Sequence, residues 1–338
     1  MKSKIKRTSM GILVSMLFWG TGVAGLIIFG TAKPPPAATA ITGPFSAMDV
    51  RGLPELRRYQ ARDGAQLSFR EYPAAGQQVA VLIHGSAGSS RDMHLLALAL
   101  QGAGVTVLVP DIRGHGANWP HGDIAYVGQL DDDLADFIAK EKPRFPHSEW
   151  IAVGFSSGAG FILRIAAETP LGQAFDRYIL ISPYLRYNAP SVRQTEEGTK
   201  PDASSSTQAA VQSWAAVSTG RIIGLSILNF FGVHYWDGLP VITFPVPAGQ
   251  ESVTRTYSWR LLQNFGADYD YLADIRRVNR PMQVFVGGSD EILNAEKLRI
   301  EFQSQRRDIP VFILPGLGHS DMVTNPVAIR AIVASIQQ

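Results

Sequence analysis

Residues 150–162 read Trp150-Ile-Ala-Val-Gly154-Phe155-Ser156-Ser157-Gly158-Ala-Gly-Phe-Ile162. Trp150 to Phe155 form a short, almost wholly apolar run of strand character, and from Gly158 to Glu168 apolar residues recur at helical spacing. Between the two, Gly154-Phe155-Ser156-Ser157-Gly158 matches Gly-x-Ser-x-Gly. A serine on a sharp strand-to-helix turn has a strained backbone, and the glycines beside it let neighbouring chains pass closely. Such a serine also stands at a helix amino terminus, where the next backbone N–H is offered to an oxyanion. The pattern alone is common. Its position between a strand and a helix makes Ser156 the candidate nucleophile.

Outward from this stretch the same alternation continues. Apolar, β-branched runs recur at Val79 to Ile83, Val105 to Val109, Tyr178 to Ile181, Gln283 to Val286 and Val311 to Leu314. They are nearly all apolar rather than alternating, as expected of parallel strands buried on both faces. Arg91 to Gly102, Gln129 to Lys142, Ala295 to Gln305 and Pro326 to Ile336 carry helical spacing between them. A preliminary strand is expected at Gln66 to Tyr72, with turns at Asp63-Gly64 and Ala74-Ala75-Gly76. The pattern predicts a doubly wound, mostly parallel α/β sheet. The rhythm breaks between Pro183 and Pro281, where a polar stretch, Gln194 to Thr207, precedes an aromatic-rich one, Trp214 to Trp236. That interval is too long for a loop and is expected to form a cap over the carboxyl edge of the sheet.

A serine hydroxyl needs a base, and the base needs an orienting acid. On this architecture they follow in the order Ser, Asp/Glu, His. After Ser156 only His234 and His319 remain. His319 lies in a glycine-bearing loop, Leu314 to Ser320, between the last strand and the final helix, so it is the expected base. His234 sits in the aromatic segment, where packing or substrate lining is expected. Asp290 follows the strand Gln283 to Val286 and is the expected acid, with Glu291 beside it either a rival for that role or a residue that faces solvent. Asp268, Asp270 and Asp274 precede that strand and read as surface or helix-capping groups, and Asp321 as a local hydrogen-bonding residue. The loop after Ile83 opens with His84-Gly85-Ser86, so the oxyanion donors are expected to be the backbone N–H groups of Ser86 and Ser157. His84 is expected to brace that loop, and Asp111 and Arg113 to form a structural ion pair.

Composition removes other classes. The chain of 338 residues has a net charge of +2 and no basic stripe in its body, which argues against nucleic acid as a partner. Apolar residues make up 46% and charged ones 18%, ample for a buried core. There is no cysteine, so disulfides, thiolate metal sites and a cysteine nucleophile are excluded. Neither a metal nor a cofactor is expected. At the amino terminus Lys2, Lys4, Lys6 and Arg7 precede the uncharged run Met10 to Phe29. At about 1.5 Å per residue this run matches the roughly 30 Å of a bilayer core. An N-terminal transmembrane helix is expected, with the basic flank cytoplasmic and the rest of the chain on the extracytoplasmic side. A signal cleaved near Gly30-Thr31-Ala32, giving a secreted protein, and a buried core helix are the alternatives. The expected divisions are an anchor or signal segment at 1–32, a Pro/Ala-rich linker at 33–56, a core at 57–183 and 281–338, and a cap insertion at 184–280.

Taken in order, His84-Gly85, Asp111-x-Arg113-Gly114-His115-Gly116, the Ser156 turn, Asp290 and Gly318-His319 resemble the α/β-hydrolase superfamily, closest to its lysophospholipase, monoacylglycerol lipase and serine-aminopeptidase-like branch. The resemblance runs from about Arg57 to the carboxyl terminus apart from the cap. Two features depart from that branch: Ala117-Asn118-Trp119 after the Gly-His-Gly, and Phe155 and Ser157 flanking the serine. Neither touches Ser156, Asp290 or His319. The resemblance implies a serine esterase acting on a small-molecule or lipid ester; the apolar run Ile222 to Phe231 reads equally as a candidate acyl-binding wall or as an ordinary cap core. The alternatives are a peptidase or amidase, for which Glu196-Glu197 is the one hint, and an anchored binding protein without catalysis.

Overall fold

In chain order the elements are β1 (Arg57–Gln60), β2 (Gln66–Tyr72), β3 (Gln78–Ile83), α1 (His94–Gly102), β4 (Thr106–Pro110), α2 (Gln129–Glu141), β5 (Glu149–Phe155), α3 (Ser157–Ala167) and β6 (Arg177–Ile181). Then follow β7 (Ala216–Val217), α4 (Thr219–Phe230), β8 (Pro240–Thr243), β9 (Thr256–Ser258), α5 (Trp259–Asn264) and α6 (Tyr271–Arg277). The chain closes with β10 (Met282–Gly287), α7 (Ala295–Gln305), β11 (Val311–Leu314), α8 (Asp321–Thr324) and α9 (Pro326–Ile336). This computed structural model describes residues 20–32, 45, 47–167, 170–193, 214–246 and 253–337. Residues 10–19, the spacer at 33–44 and the polar stretch with Glu196-Glu197 lie outside the described residues.

Eight strands form one sheet in the order β1-β2-β4-β3-β5-β6-β10-β11. From β4 to β11 all neighbours are parallel, while β1 and β2 add antiparallel pairs at one edge. The period-2 pleat explains why the central runs are apolar throughout. Along β3, Val79, Val81 and Ile83 enter one core with Phe69, Phe137 and Phe161, whereas Ala80 and Leu82 enter the other with Met93, Leu96 and Ile332. The chain leaves β3 for β4 on one side and returns to β5 on the other, so β3 marks the switch in strand order. Crevices outside the carboxyl ends of strands at such switches are where ligands bind in open α/β sheets. The loops after β3 and β5 meet there.

Between β6 and β10, where no alternation was legible, β7, β8 and β9 pair into a small antiparallel sheet. These strands have two to four residues, too few for any periodicity to register. Residues 20–29 are helical and lie along α4. The approach is close because glycines line it: a Cβ on Gly224 would come within 2.7 Å of Ile27 Cγ1, and one on Gly220 within 2.8 Å of the Gly30 Cα. Arg221 adds its backbone N–H to the Gly30 carbonyl at 3.2 Å and its Nε to the Ile27 carbonyl at 2.9 Å. No helix among the described residues is long and apolar enough to cross a membrane. The helix at 20–29 is the described half of the uncharged run.

Candidate active site

Ser156 follows β5 directly and precedes α3. Its φ is +54°, a left-handed conformation that a non-glycine residue adopts only when its surroundings impose it. The flanking glycines show how. A Cβ on Gly158 would lie 2.3 Å from the His84 carbonyl oxygen, and one on Gly154 2.5 Å from that of Gly158. Backbone bonds from Ser156 N–H to the Ile181 carbonyl, and from the Ala159 and Gly160 N–H groups to the Ser156 carbonyl, complete the turn.

The structure brings the three expected residues into one hydrogen-bonded chain. His319 Nε2 lies 2.9 Å from Ser156 Oγ, and His319 Nδ1 lies 2.8 Å from Asp290 Oδ2. Asp290 is buried and accepts three further bonds, from the Ile292 and Leu293 N–H groups, each at 2.9 Å, and from Ser182 Oγ at 2.9 Å. Burial pushes the Asp290 carboxyl up, but the His319 ring and these N–H groups outweigh it and hold the carboxyl below its usual value. For His319 burial pushes downward. The Asp290 carboxylate, with Glu291 behind it, outweighs burial and raises the imidazole above its ordinary value.

Ser86 and Ser157 are also adjacent, their hydroxyls 2.5 Å apart. Neither backbone N–H has an acceptor among the described residues. Ser157 opens α3, where the first N–H groups have no partner within the helix. Two such donors beside the Ser156 hydroxyl can receive negative charge that develops on a carbonyl oxygen.

Other expectations fare differently. His84 braces its loop: Nε2 accepts the Ile112 N–H at 3.1 Å, so Nδ1 carries the proton and donates to the Gly85 carbonyl at 2.8 Å. Asp111 and Arg113 form no ion pair. Arg113 reaches away from the loop to Asp133 at 2.7 Å and Asp63 at 3.0 Å, while Asp111 accepts the Ser90 and Ala117 N–H groups at 2.6 and 3.0 Å. A buried carboxylate with two N–H donors at hand needs no cation. Glu291 does not simply face solvent, because its Oε2 accepts the His319 N–H at 2.9 Å. Asp321 bonds locally to the Gly318 N–H, and Asp270 caps α6. Asp274 is buried rather than a surface or capping group. His234 is exposed rather than packed and bonds to Asn229 Oδ1 at 2.7 Å.

Two contributors carried no recognisable signal. Ser182, also with a positive φ of 42°, sits at the carboxyl end of β6, the same position in its strand that Ser156 has in β5. Strand-end placement was the only clue. Tyr257 reaches from β9 to the loop after β3: its hydroxyl accepts the Ala87 N–H at 2.8 Å and donates to His115 Nε2 at 2.6 Å. No local pattern announces such a contact across the fold.

Solved structures of similar fold include a soluble variant of monoglyceride lipase from Saccharomyces cerevisiae in complex with a substrate analog (TM-score 0.62, 16% identity, covering 86% of this chain and 96% of that one). The monoacylglycerol lipase of Paleococcus ferrophilus gives 0.58 at 17% identity, covering 80% of this chain and 98% of that one. A bromoperoxidase from Bacillus anthracis gives 0.55 at 17% identity, covering 84% and 100%. Identities this low speak for the fold alone. A comparison with curated proteins finds no match. Matched from residue 80 to residue 332, the chain belongs to the alpha/beta hydrolase family.

Proposed function

We propose that this protein is a membrane-anchored serine hydrolase that cleaves carboxylic esters through an acyl-enzyme. The observation that carries the proposal is the buried chain Ser156–His319–Asp290 beside two backbone N–H groups without acceptors among the described residues. Ser156 Oγ attacks the acyl carbonyl carbon while His319 Nε2 takes its proton. Asp290 fixes the tautomer with Nδ1 protonated and stabilises the imidazolium that forms. The oxyanion lies between the Ser86 and Ser157 N–H groups. Collapse breaks the ester C–O bond, and the leaving alcohol takes the proton from His319. Water then repeats the sequence on the acyl-enzyme and returns Ser156, so the cycle balances with water alone.

The run Met10 to Phe29, with its basic flank cytoplasmic, anchors the chain and sets the catalytic domain on the extracytoplasmic side. Residues 184–280 form the cap. A tethered site meets lipidic esters readily, which favours lysophospholipids or monoacylglycerols.

The test uses the full chain in detergent micelles, because residues 20–32 pack on α4 and truncation would strip that face. Wild type and Ser156→Ala are compared on a p-nitrophenyl ester series of increasing acyl length. The variant is expected to lose turnover by about 10³-fold or more with an unchanged circular dichroism spectrum. Equal rates in two folded proteins on every ester would sink the esterase reading and bring peptide amides forward.

A further inference from the structure

The end of α4 and the loop after it have a composition that water does not explain. Residues 230–236, Phe-Phe-Gly-Val-His-Tyr-Trp, are all exposed, with Phe230 at 84%, Phe231 at 70% and Tyr235 at 87%. Exposed apolar clusters of this kind mark contact with another apolar phase. The charges of α4 and of this loop are turned away from it. Asp237, the one carboxylate of α4 and this loop, is buried and accepts a bond from Asn229 Nδ2 at 2.5 Å. The Arg221 guanidinium is spent at the opposite end of α4 on the Ile27 and Pro240 carbonyls. Asn229, His234 and Asp237 satisfy one another, Nδ1 of His234 lying 2.7 Å from the Asn229 amide oxygen and 3.2 Å from Asp237. Polar side chains placed in lipid need that internal pairing.

The helix at 20–29 runs antiparallel to α4. Gly30 lies against Gly220 and Ile27 against Gly224, while Gly20 and Val23 line one apolar cleft with Phe231 and Trp236. Toward residue 19 the chain therefore leaves α4 beside the aromatic loop. Its outward residues are apolar too, with Ile28 at 61% and Phe29 at 82% exposure. Ten residues of the uncharged run precede Gly20 and ten follow from it. Ten residues cover about 15 Å, half of the roughly 30 Å core. A span therefore requires residues 20–29 to lie in hydrocarbon as well, and α4 packed along them goes with them.

We propose that α4 and residues 230–236 are embedded in the near leaflet of a phospholipid bilayer, packed against the second half of the anchor. The aromatic side chains fit such a site. Phenylalanine partitions into hydrocarbon, and the Trp236 ring lines the same apolar cleft as Gly20 and Val23. The cap is then a membrane element, and a lipid ester reaches the domain without crossing water. This inference rests on Met10 to Phe29 being the anchor.

The chain lacks cysteine, so one introduced thiol reports on one site. Full-length protein carrying the environment-sensitive fluorophore NBD at Phe231→Cys is reconstituted into phosphatidylcholine vesicles containing acyl-chain nitroxide lipid. A control carries the same label at Ile300→Cys, an exposed position on α7. Label at 231 is expected to lose most of its emission to the nitroxide, and label at 300 to keep its emission. Equal emission at both sites overturns the inference. So does quenching that depends on protein density and not on nitroxide, which would make the occupant a second copy of the chain. Alkaline carbonate washing separates the two readings. If the chain stays with the vesicles and position 231 is unquenched, embedding fails and the anchor stands. If the chain is washed off, both fail. A second variant, Val233→Asp with Tyr235→Asp at two exposed positions of the loop, is expected to slow hydrolysis of a vesicle-borne monoacylglycerol while leaving p-nitrophenyl acetate turnover unchanged; equal loss on both overturns the embedding.

Discussion

Ser156 is held at a positive φ of 54° by glycines whose neighbours leave no room for a Cβ. The strain was foreseeable because Gly-x-Ser-x-Gly between a strand and a helix has few other solutions. His319 and Asp290 were foreseeable for a related reason, since each follows a strand run in a loop that contains glycine. Glu291 was not. A carboxylate one residue beyond the acid has no sequence mark of its own, and only the path of the chain aims it at the His319 N–H. The electrostatics of the pair predict a pH profile. His319 accepts the Ser156 proton only when neutral, and its imidazole is raised above the ordinary value of about 6.5. Hence kcat/KM should fall as pH decreases, with a midpoint above about 6.5. Asp290→Asn removes the charge and leaves burial as the stronger influence. Its midpoint should move downward and its turnover fall by about 10⁴-fold. Rates measured from about pH 5 to 9 on both proteins check this. A wild-type midpoint below that of Asp290→Asn would refute the assignment.

At the scale of elements, the loop after β3 shows how a distant strand determines local geometry. Ala87 has a φ of +60°, and its peptide is held on both sides by the segment around β9: Tyr257 Oη accepts its N–H and Thr254 N–H donates to its carbonyl at 3.0 Å. This fixes the direction of the neighbouring Ser86 N–H. Tyr257→Phe leaves a buried N–H and the His115 Nε2 without partners, at a cost of about 1–3 kcal/mol. On the proposed mechanism a loosened Ser86 N–H destabilises the transition state more than the bound ester, so kcat should fall by roughly tenfold with KM little changed. Thermal melting together with steady-state kinetics separates the two effects. A lowered melting temperature with unaltered kcat would reduce Tyr257 to a purely structural role. The strand β9 itself has three residues, and nothing in its composition distinguished it from a loop.

Across the whole molecule the long interval between β6 and β10 is tied to the central sheet by a buried polar knot. Arg164 of α3 bonds Asp131 of α2 at 2.5 Å and the carbonyl of Asn264 in α5 at 3.0 Å, while Asn264 donates to Asp131 at 2.6 Å. Asn264 also accepts the Leu130 N–H at 2.9 Å. Arg164→Met keeps the bulk but leaves the Asp131 charge without its cation. Removal of one partner from a buried pair typically costs about 3–5 kcal/mol, and Asp131 is partly hydrated, so the lower end is expected. Urea denaturation measures the loss; a change under about 1 kcal/mol would show the knot to be dispensable. The sequence by itself determined the α/β alternation, seven of the eight strands of the central sheet, all but β1, and the order Ser156, Asp290, His319. Those are properties of short stretches, where periodicity and turn chemistry act over a few residues. Only the tertiary structure decided that Arg113 turns from Asp111 to Asp133, that Ser182 and Tyr257 support the site, and that residues 20–29 lie along α4. Each depends on contacts between residues far apart in the chain, whose geometry is set by packing and leaves no periodic trace.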